Sequence, residues 1–135
     1  MATTFEIGEQ REQVLVDDLT RTQIVQYAGA SGDYNPLHTD EVFATQVAGY
    51  PTVFAHGMLT MAMTGRILTD WVGHGRLTAF GGRFKAQVWP GDTLTATATV
   101  TALSDEREAV AEFDVVTRNQ RSEEVFSGTA AARVG

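Results

Sequence analysis

The first apolar pattern along the chain has the period of an α-helix. In DLTRTQIVQYAGASGD (residues 18–33), Ile24 and Ala28 are four positions apart and therefore share a helical face. Thr20 stands just before this pattern, where a hydroxyl can cap the start of a helix. Gly32 follows the last apolar position, and glycine commonly ends a helix there. The pattern predicts a first helix that begins after Thr20.

A second and far more apolar pattern occupies AHGMLTMAMTGRILTDWV (residues 55–72). One face collects apolar residues at helical spacing: Leu59, Ala62, Met63, Ile67 and Trp71, widened by Met58, Met61 and Leu68. A helix that is apolar over most of its circumference is typically buried. Gly57 at its start and Gly65 inside it are poor helix formers, and they predict the close approach of a neighbouring segment or a ligand.

The segment between these helices predicts one more short helical element. Asp40 is placed to cap a helix over residues 41–46. The GYP sequence at residues 49–51 ends it, because the residue before a proline disfavours helical dihedrals.

The last 60 residues change to a period of two. Residues 94–103 (LTATATVTAL) alternate apolar with small or β-branched residues, as in a strand with one buried face. Residues 108–119 alternate in the same way, and residues 76–88 and 124–134 do so more loosely. Near the amino terminus, residues 13–18 are compatible with a short strand. WPGD (89–92) and SDER (104–107) contain turn-forming residues. Four long strands joined by short turns predict an antiparallel meander or an arrangement close to it.

These elements predict an α+β fold of one domain over residues 1–135. A sheet that is apolar on one face must cover that face. The simplest way to do so is to wrap the sheet around the apolar helix of residues 56–72, which is the hot-dog arrangement. A chain of 135 residues is long enough for one core of this kind.

Composition narrows the classes of function. The chain has 10 basic and 17 acidic residues, for a net charge of −7. This charge argues against nucleic acid or anionic lipid as the main partner. The absence of cysteine excludes thiol nucleophiles, disulfides and zinc–thiolate sites. The amino terminus lacks a signal-peptide pattern, and the apolar helix is interrupted by charges, so we expect a cytoplasmic chain outside membranes.

The loop SGDYNPLHTD (residues 31–40) contains the candidate chemistry. Asp33 and His38 are two proton-carrying side chains five positions apart. Histidine ordinarily titrates near neutral pH, which suits it to acid–base catalysis. Pro36 restricts the backbone between them, and the amide of Asn35 can fix the loop or a water molecule. Taken alone, the same residues are also compatible with an ordinary Asx-turn loop.

The loop resembles the signature of the MaoC-like hydratase/dehydratase family, G-D-x-N-P-[aliphatic]-H, and residues 32–38 (GDYNPLH) match every specified position. AHGML (55–59) is similar to the start of the family's central helix. RFKAQVWPGDTL (83–94) is similar to its R-F-x-x-P-V-x-P-G-D-x-L segment, with Gln87 and Val88 where Pro-Val is common. Within the family the chain looks most like (3R)-hydroxyacyl-thioester dehydratase B subunits (HadB type), followed by (R)-specific enoyl-CoA hydratases.

The resemblance implies a lyase of fatty-acid metabolism. Such an enzyme hydrates trans-2-enoyl thioesters, or dehydrates (3R)-hydroxyacyl thioesters, carried on CoA or acyl-carrier protein. By resemblance Asp33 and His38 share the proton transfers around one water, with Asn35 and Pro36 in support. The backbone N–H of Gly57 holds the thioester oxygen, and the missing Cβ leaves room for it. No cofactor or metal is implied, and no two histidines have metal-ligand spacing.

Two other functions and two structural questions stay open at this level. The alternatives are a hot-dog acyl-thioesterase and a non-catalytic subunit that stabilises a catalytic partner. Sheet edges left open in a single chain predict a homodimer or a heterodimer with a paralogous subunit. His56 either lines the site or has a capping or packing role, and we predict the second.

Overall fold

The computed structural model describes residues 4–104 and 109–135, which form five strands, two α-helices and one π-helical turn. In chain order they are β1 (Gln10–Val16), α1 (Arg21–Ser31), the π-helical turn (Phe43–Val47), α2 (Gly57–Val72), β2 (Leu77–Phe84), β3 (Leu94–Leu103), β4 (Val110–Arg118) and β5 (Glu124–Arg133). Most of the turn predicted at residues 104–107 lies outside the described residues.

Helix α1 begins and ends as its sequence predicts. The Thr20 hydroxyl accepts from the backbone N–H of Gln23, and the Gln23 side chain accepts from the backbone N–H of Thr20, so both halves of a capping box are present. Gly32 follows the helix with φ of 75°, a left-handed conformation in which a glycine has no Cβ strain. The loop of residues 32–38 therefore begins directly at a well-defined helix end.

The short element after the loop is a π-helical turn rather than the regular short helix predicted at residues 41–46. The Asp40 carboxylate accepts from the backbone N–H of Phe43 at 3.1 Å and so caps the two helical residues, 41 and 42, that lead into the turn. The N–H of Ala48 donates to the carbonyl of Phe43, five residues earlier, which defines the wider turn. The element ends before Gly49, which has φ of 80°.

The five strands form one antiparallel sheet in the order β1-β3-β4-β5-β2. Strands β3, β4 and β5 are consecutive neighbours, as a meander requires. Strand β2 pairs with β5 and not with β3, so the predicted meander is wrong there. The segment after β2 is hydrogen-bonded to residues outside the sheet and does not turn back along β2. The carbonyl of Val88 accepts from the N–H of Ala55, and the N–H of Gly91 donates to the carbonyl of Leu19. It crosses the molecule and forms no hairpin.

Helix α2 packs against the sheet, and this confirms the predicted α+β hot-dog fold. The buried side chains on α2 are Thr60, Thr64, Ile67, Leu68, Trp71 and Val72. This face is rotated from the predicted apolar stripe, since Ala62 is exposed and two threonines are buried. Thr64 can be buried because its hydroxyl donates to the Thr60 carbonyl at 2.8 Å and hydrogen-bonds Thr117 at 2.6 Å.

The groups that closely approach the two helix glycines, Gly57 and Gly65, are aromatic rings. A Cβ on Gly57 would meet ring carbons of Phe84 at 3.2–3.3 Å, and one on Gly65 would meet Phe80 at 3.3 Å. The two phenylalanines lie on β2 and lay their rings against α2 where no side chain intervenes. In the part of the chain that is described, no helix is both long and apolar enough to cross a membrane.

Candidate active site

The loop after α1 is held by its own short side chains. The Asp33 carboxylate accepts from the backbone N–H of Asn35 at 3.3 Å, and the Asn35 side-chain oxygen accepts from Leu37 N–H at 3.0 Å. The carbonyl of Asn35 accepts from the N–H of His38 at 3.0 Å. Asn35 thus organises the loop, one of the two roles considered for it, and Pro36 lies within these turns. Asp33 remains exposed, so its carboxylate can take up further donors.

His38 is buried and has its ring orientation set by the main chain. Its Nδ1 lies 2.6 Å from the carbonyl oxygen of Phe54. A carbonyl oxygen can only accept, so Nδ1 carries the hydrogen of this bond. In the neutral imidazole the lone pair is therefore on Nε2, which is the nitrogen that can take a proton from a substrate or a water molecule.

His56 belongs to the same cluster as Asp33 and His38. It is 2% exposed, and its Nε2 donates to the backbone carbonyl of Asp33 at 3.0 Å. Its ring stacks on His38 with centroids 3.8 Å apart and planes inclined by 23°, and Tyr27 contacts it edge-on at 4.9 Å. His56 directly precedes α2 but makes no side-chain cap bond, so the capping part of the prediction is wrong and the packing part is confirmed. The alternative that His56 lines the candidate site also holds, because its ring lies in one cluster with Asp33 and His38.

One ligand atom each of Asp33, His38 and His56 lie within 4.8 Å of one another, a grouping that sequence spacing does not reveal. The two histidines are eighteen positions apart in the chain, and no local motif joins them. The ring lone pairs lie in the ring planes, and nearly parallel stacked planes do not converge at zinc–nitrogen bonding distance, about 2.0–2.1 Å. As placed, the cluster suits proton transfer and packing better than chelation by both rings.

A cavity of about 290 Å³ opens beside the amino-terminal end of α2. Its wall includes Gly57, Thr60, Phe84 and Val88, together with Phe54, whose carbonyl holds His38. Because Phe54 is shared, the cavity and the Asp33/His38 loop are adjacent. The first backbone N–H groups of a helix have no partners within it and carry the positive end of its dipole. The cavity can therefore accept a group that develops negative charge next to Gly57.

The single lysine, Lys85, also lines this cavity and forms an ion pair with Glu124. Lys85 contacts the carboxylate of Glu124 at 3.0 Å, and Arg118 contacts the same carboxylate at 3.1 Å. The hydrogen bond from Lys85, with its charge, holds the pKa of Glu124 below its ordinary value. The positive charge at this edge of the cavity is thus already partnered.

The PGD sequence at residues 90–92 braces a turn. Asp92 is buried, accepting from Trp89 N–H at 2.9 Å and from the Gln120 side chain at 2.9 Å. Its own backbone carbonyl accepts from Leu19 N–H at 2.9 Å. This part of the sequence pattern positions the crossing segment and lies apart from the Asp33/His38 cluster.

Comparisons with known proteins agree with this architecture. Residues 3–125 match the family described as MaoC like domain. The chain is 37% identical over 107 residues to the (R)-specific enoyl-CoA hydratase of Rhodospirillum rubrum, covering 78% of this chain and 74% of that one. It is 38% identical over 93 residues to 3-hydroxyacyl-thioester dehydratase Y of Mycobacterium tuberculosis, covering 67% of this chain but only 32% of that longer protein.

A solved structure extends the similarity to the whole chain. The (R)-hydratase from A. caviae involved in PHA biosynthesis superimposes with a TM-score of 0.87 at 26% identity, covering 99% of this chain and 100% of that one. At this TM-score and coverage, the two chains share the same overall fold.

Proposed function

This chain belongs to the MaoC-like domain family, and from that premise we propose that it is a hydro-lyase acting on acyl thioesters. It adds water to trans-2-enoyl thioesters, or removes water from (3R)-hydroxyacyl thioesters, in fatty-acid metabolism. The observation that carries the proposal is the loop pairing of an exposed Asp33 carboxylate with a buried His38 whose Nε2 is free to accept a proton. The names of the R. rubrum and M. tuberculosis relatives support this reaction class.

The dyad suits a single water molecule. A water has two hydrogens to donate, and Asp33 and His38 offer two acceptors on one side of it. When the water donates a hydrogen bond to each of these acceptors, its oxygen lone pair points toward C3 of the enoyl group. One acceptor takes a proton as the C3–O bond forms, the C2–C3 π electrons move toward the thioester carbonyl, and that proton is delivered to C2. The sum is the addition of H₂O with the protein unchanged.

The charge that develops on the thioester oxygen requires a donor, and we assign this role to the Gly57 backbone N–H. It is the first residue of α2 and lines the cavity beside the loop. A preorganised donor contributes more to the transition state than to the ground state, because charge on the oxygen grows as C3 is attacked. Dehydration uses the same groups in reverse.

Hydration is neither oxidation nor reduction, so the proposed reaction needs no redox cofactor. The substrate brings its own carrier, CoA or acyl-carrier protein. We also propose that a second hot-dog chain, identical or paralogous, covers the open side of α2 and the free edge of β2, where every residue but Leu77 and Phe80 is exposed. The cytoplasm is the expected compartment.

The direct test is hydration of crotonyl-CoA and longer enoyl-CoA substrates, followed as loss of enoyl-thioester absorbance. The purified chain is assayed alone and with candidate partner subunits. We expect turnover by the wild type and a loss of about 10²–10⁴-fold in an Asp33→Asn/His38→Ala double variant. Asp70→Asn/His74→Ala removes the same residue types at the far end of α2, where both are exposed, and should retain activity.

Each alternative has a distinct result in the same assay. Release of free CoA thiol without hydration would identify an acyl-thioesterase. Turnover that appears only with a partner and survives the double variant would identify a stabilising subunit. Full activity of the double variant in the chain alone would refute the assigned dyad.

A further inference from the structure

The hydroxyl of Thr60 is buried and unpaired. The residue is 2% exposed, and its Oγ1 has no hydrogen-bond partner among residues 4–104 and 109–135. A buried hydroxyl without a partner is destabilising, and such groups are rare in folded proteins. Its presence in the first turn of the central helix therefore calls for a function that the folded chain alone does not reveal.

Three other helical threonines, Thr45, Thr64 and Thr69, use their hydroxyls in the ordinary way. Thr64 donates to the carbonyl four residues earlier at 2.8 Å, Thr45 does so at 2.8 Å, and Thr69 at 3.4 Å. For Thr60 the corresponding carbonyl belongs to His56, which instead accepts from the backbone N–H groups of Leu59 and Thr60. The Thr60 hydroxyl alone among these four has no acceptor in its own helix.

The position of Thr60 indicates what it can bind. It lines the 290 Å³ cavity together with Gly57, and residues three apart lie on the same side of a helix. Both residues are in the first turn, where the helix dipole favours an oxygen that gains negative charge. A hydroxyl here can donate to the same ligand atom as the Gly57 N–H.

We propose that the Thr60 hydroxyl is a second hydrogen-bond donor to the thioester carbonyl oxygen, acting beside the backbone N–H of Gly57. The inference rests on the proposed hydratase function and adds a side chain to its oxyanion site. No proton is transferred from Thr60. Its hydrogen bond strengthens as the carbonyl becomes enolate-like, and the hydroxyl then has the partner that it lacks in the free protein.

Three variants test this role. Thr60→Val replaces the hydroxyl with a methyl group of similar shape, Thr60→Ser keeps the hydroxyl, and Thr64→Val is the matched control on the next turn. For Thr60→Val we expect kcat for crotonyl-CoA hydration to fall by about 10–10²-fold and KM to rise by only a few-fold, because the hydrogen bond is already present with bound substrate and strengthens in the transition state. Its Tm should be equal to or above the wild-type value, since no intramolecular bond is lost.

The other two variants separate chemistry from folding. Thr60→Ser should retain most of the activity. Thr64→Val should lower Tm, because it breaks the bonds to the Thr60 carbonyl and to Thr117, while activity per folded molecule is kept. A second readout that needs no turnover is the Kd of butyryl-CoA, a saturated thioester, which Thr60→Val should raise.

The outcomes are distinct from those of the function test. Wild-type kcat in Thr60→Val, a loss confined to KM, or a fall in Tm as large as that of Thr64→Val would each overturn the inference while the hydratase function stands. A wild type that hydrates no enoyl thioester overturns the proposed function. The butyryl-CoA measurement then decides the Thr60 contact by itself, and equal or absent binding in wild type and Thr60→Val overturns it.

Discussion

At the scale of single residues, the two buried histidines owe their positions to main-chain carbonyls. His38 donates to the carbonyl of Phe54 and His56 donates to the carbonyl of Asp33. Each bond selects one tautomer, so the orientation of both rings depends on backbone geometry rather than on another titratable side chain. His56 therefore links the two proton carriers: it donates to the backbone of Asp33, and its ring stacks on that of His38.

Gly57 is a residue at which packing and proposed chemistry meet. A Cβ there would contact the Phe84 ring at 3.2–3.3 Å. That ring is 50% exposed and can move outward, so Gly57→Ala should fold with a small change in Tm. The displaced ring and helix start should lower kcat/KM for enoyl-CoA hydration by less than the roughly 10²-fold loss that a 1 Å misplacement causes, because the contact requires only a small shift. Steady-state kinetics and differential scanning fluorimetry measure the two effects.

Gly65→Ala is the matched control. Its Cβ would meet Phe80 at 3.3 Å, an equivalent contact about two helical turns from Gly57. We expect a similar change in Tm and wild-type kinetics. Equal activity losses in both variants would show that aromatic packing, and not the site next to Gly57, controls turnover.

At the scale of elements, α1 and the segment just after the loop of residues 32–38 hold that loop from both ends. Arg21, in the first turn of α1, pairs with Glu41 just after the loop, and Thr52 hydrogen-bonds both partners at 2.8 and 2.9 Å. The hydrogen bond from Arg21, followed by that from Thr52, holds the pKa of Glu41 below its ordinary value of 4.5. This network joins segments on either side of Asp33 and His38.

The direction of that shift predicts a pH effect. A carboxylate whose pKa is lowered in the folded state stabilises the fold at neutral pH, and this stabilisation is lost as pH falls through the lowered pKa. Glu41→Gln should therefore have a slightly lower Tm than wild type at pH 7, and the difference should shrink below pH 4.5. The effect is small because the pair is solvent-exposed. Thermal melts across this range measure it.

Glu12→Gln provides the comparison, since it removes an exposed carboxylate from β1 without touching the network. The difference in Tm between Glu12→Gln and wild type should not change comparably with pH. A Tm gap for Glu41→Gln that widens on acidification would contradict the stabilising role of this carboxylate.

At the scale of the whole molecule, one chain leaves apolar surface uncovered. Met58 is 55% exposed on α2, and Ala62 is exposed one turn further on. Strand β2 forms one edge of the sheet, and open edges are commonly covered by another chain. A second hot-dog chain placed against this side would cover both features together.

Ala62→Glu tests this assembly. The residue is exposed in the single chain, so a carboxylate there should leave the monomer fold intact, while burying it against a partner would be costly. In sedimentation velocity the wild type, alone or with its paralogue, should behave as two chains of 14.6 kDa each, and the variant as one. Val14→Glu, at the opposite edge strand, should leave the dimer unchanged. A monomeric wild type under all conditions would refute the arrangement.

The sequence by itself determined the local helices and strands and the loop of residues 32–38. Period-two and helical patterns located the strands and both helices to within a few residues, because burial of one face imposes that periodicity. The cap at Thr20 and the glycine at the end of α1 could also be predicted from the sequence, because capping interactions span only three or four residues. The motif at residues 32–38 was equally local.

Only the tertiary structure decided which distant residues meet. Pairing of β2 with β5 depends on the crossing segment held by Ala55 and Leu19, which no local pattern encodes. The stacking of His56 on His38 and the unpaired hydroxyl of Thr60 arise where the loop, the start of α2 and the cavity converge. Hydrophobic periodicity specifies which face is buried, but the partners of each buried polar group depend on how those faces pack in three dimensions.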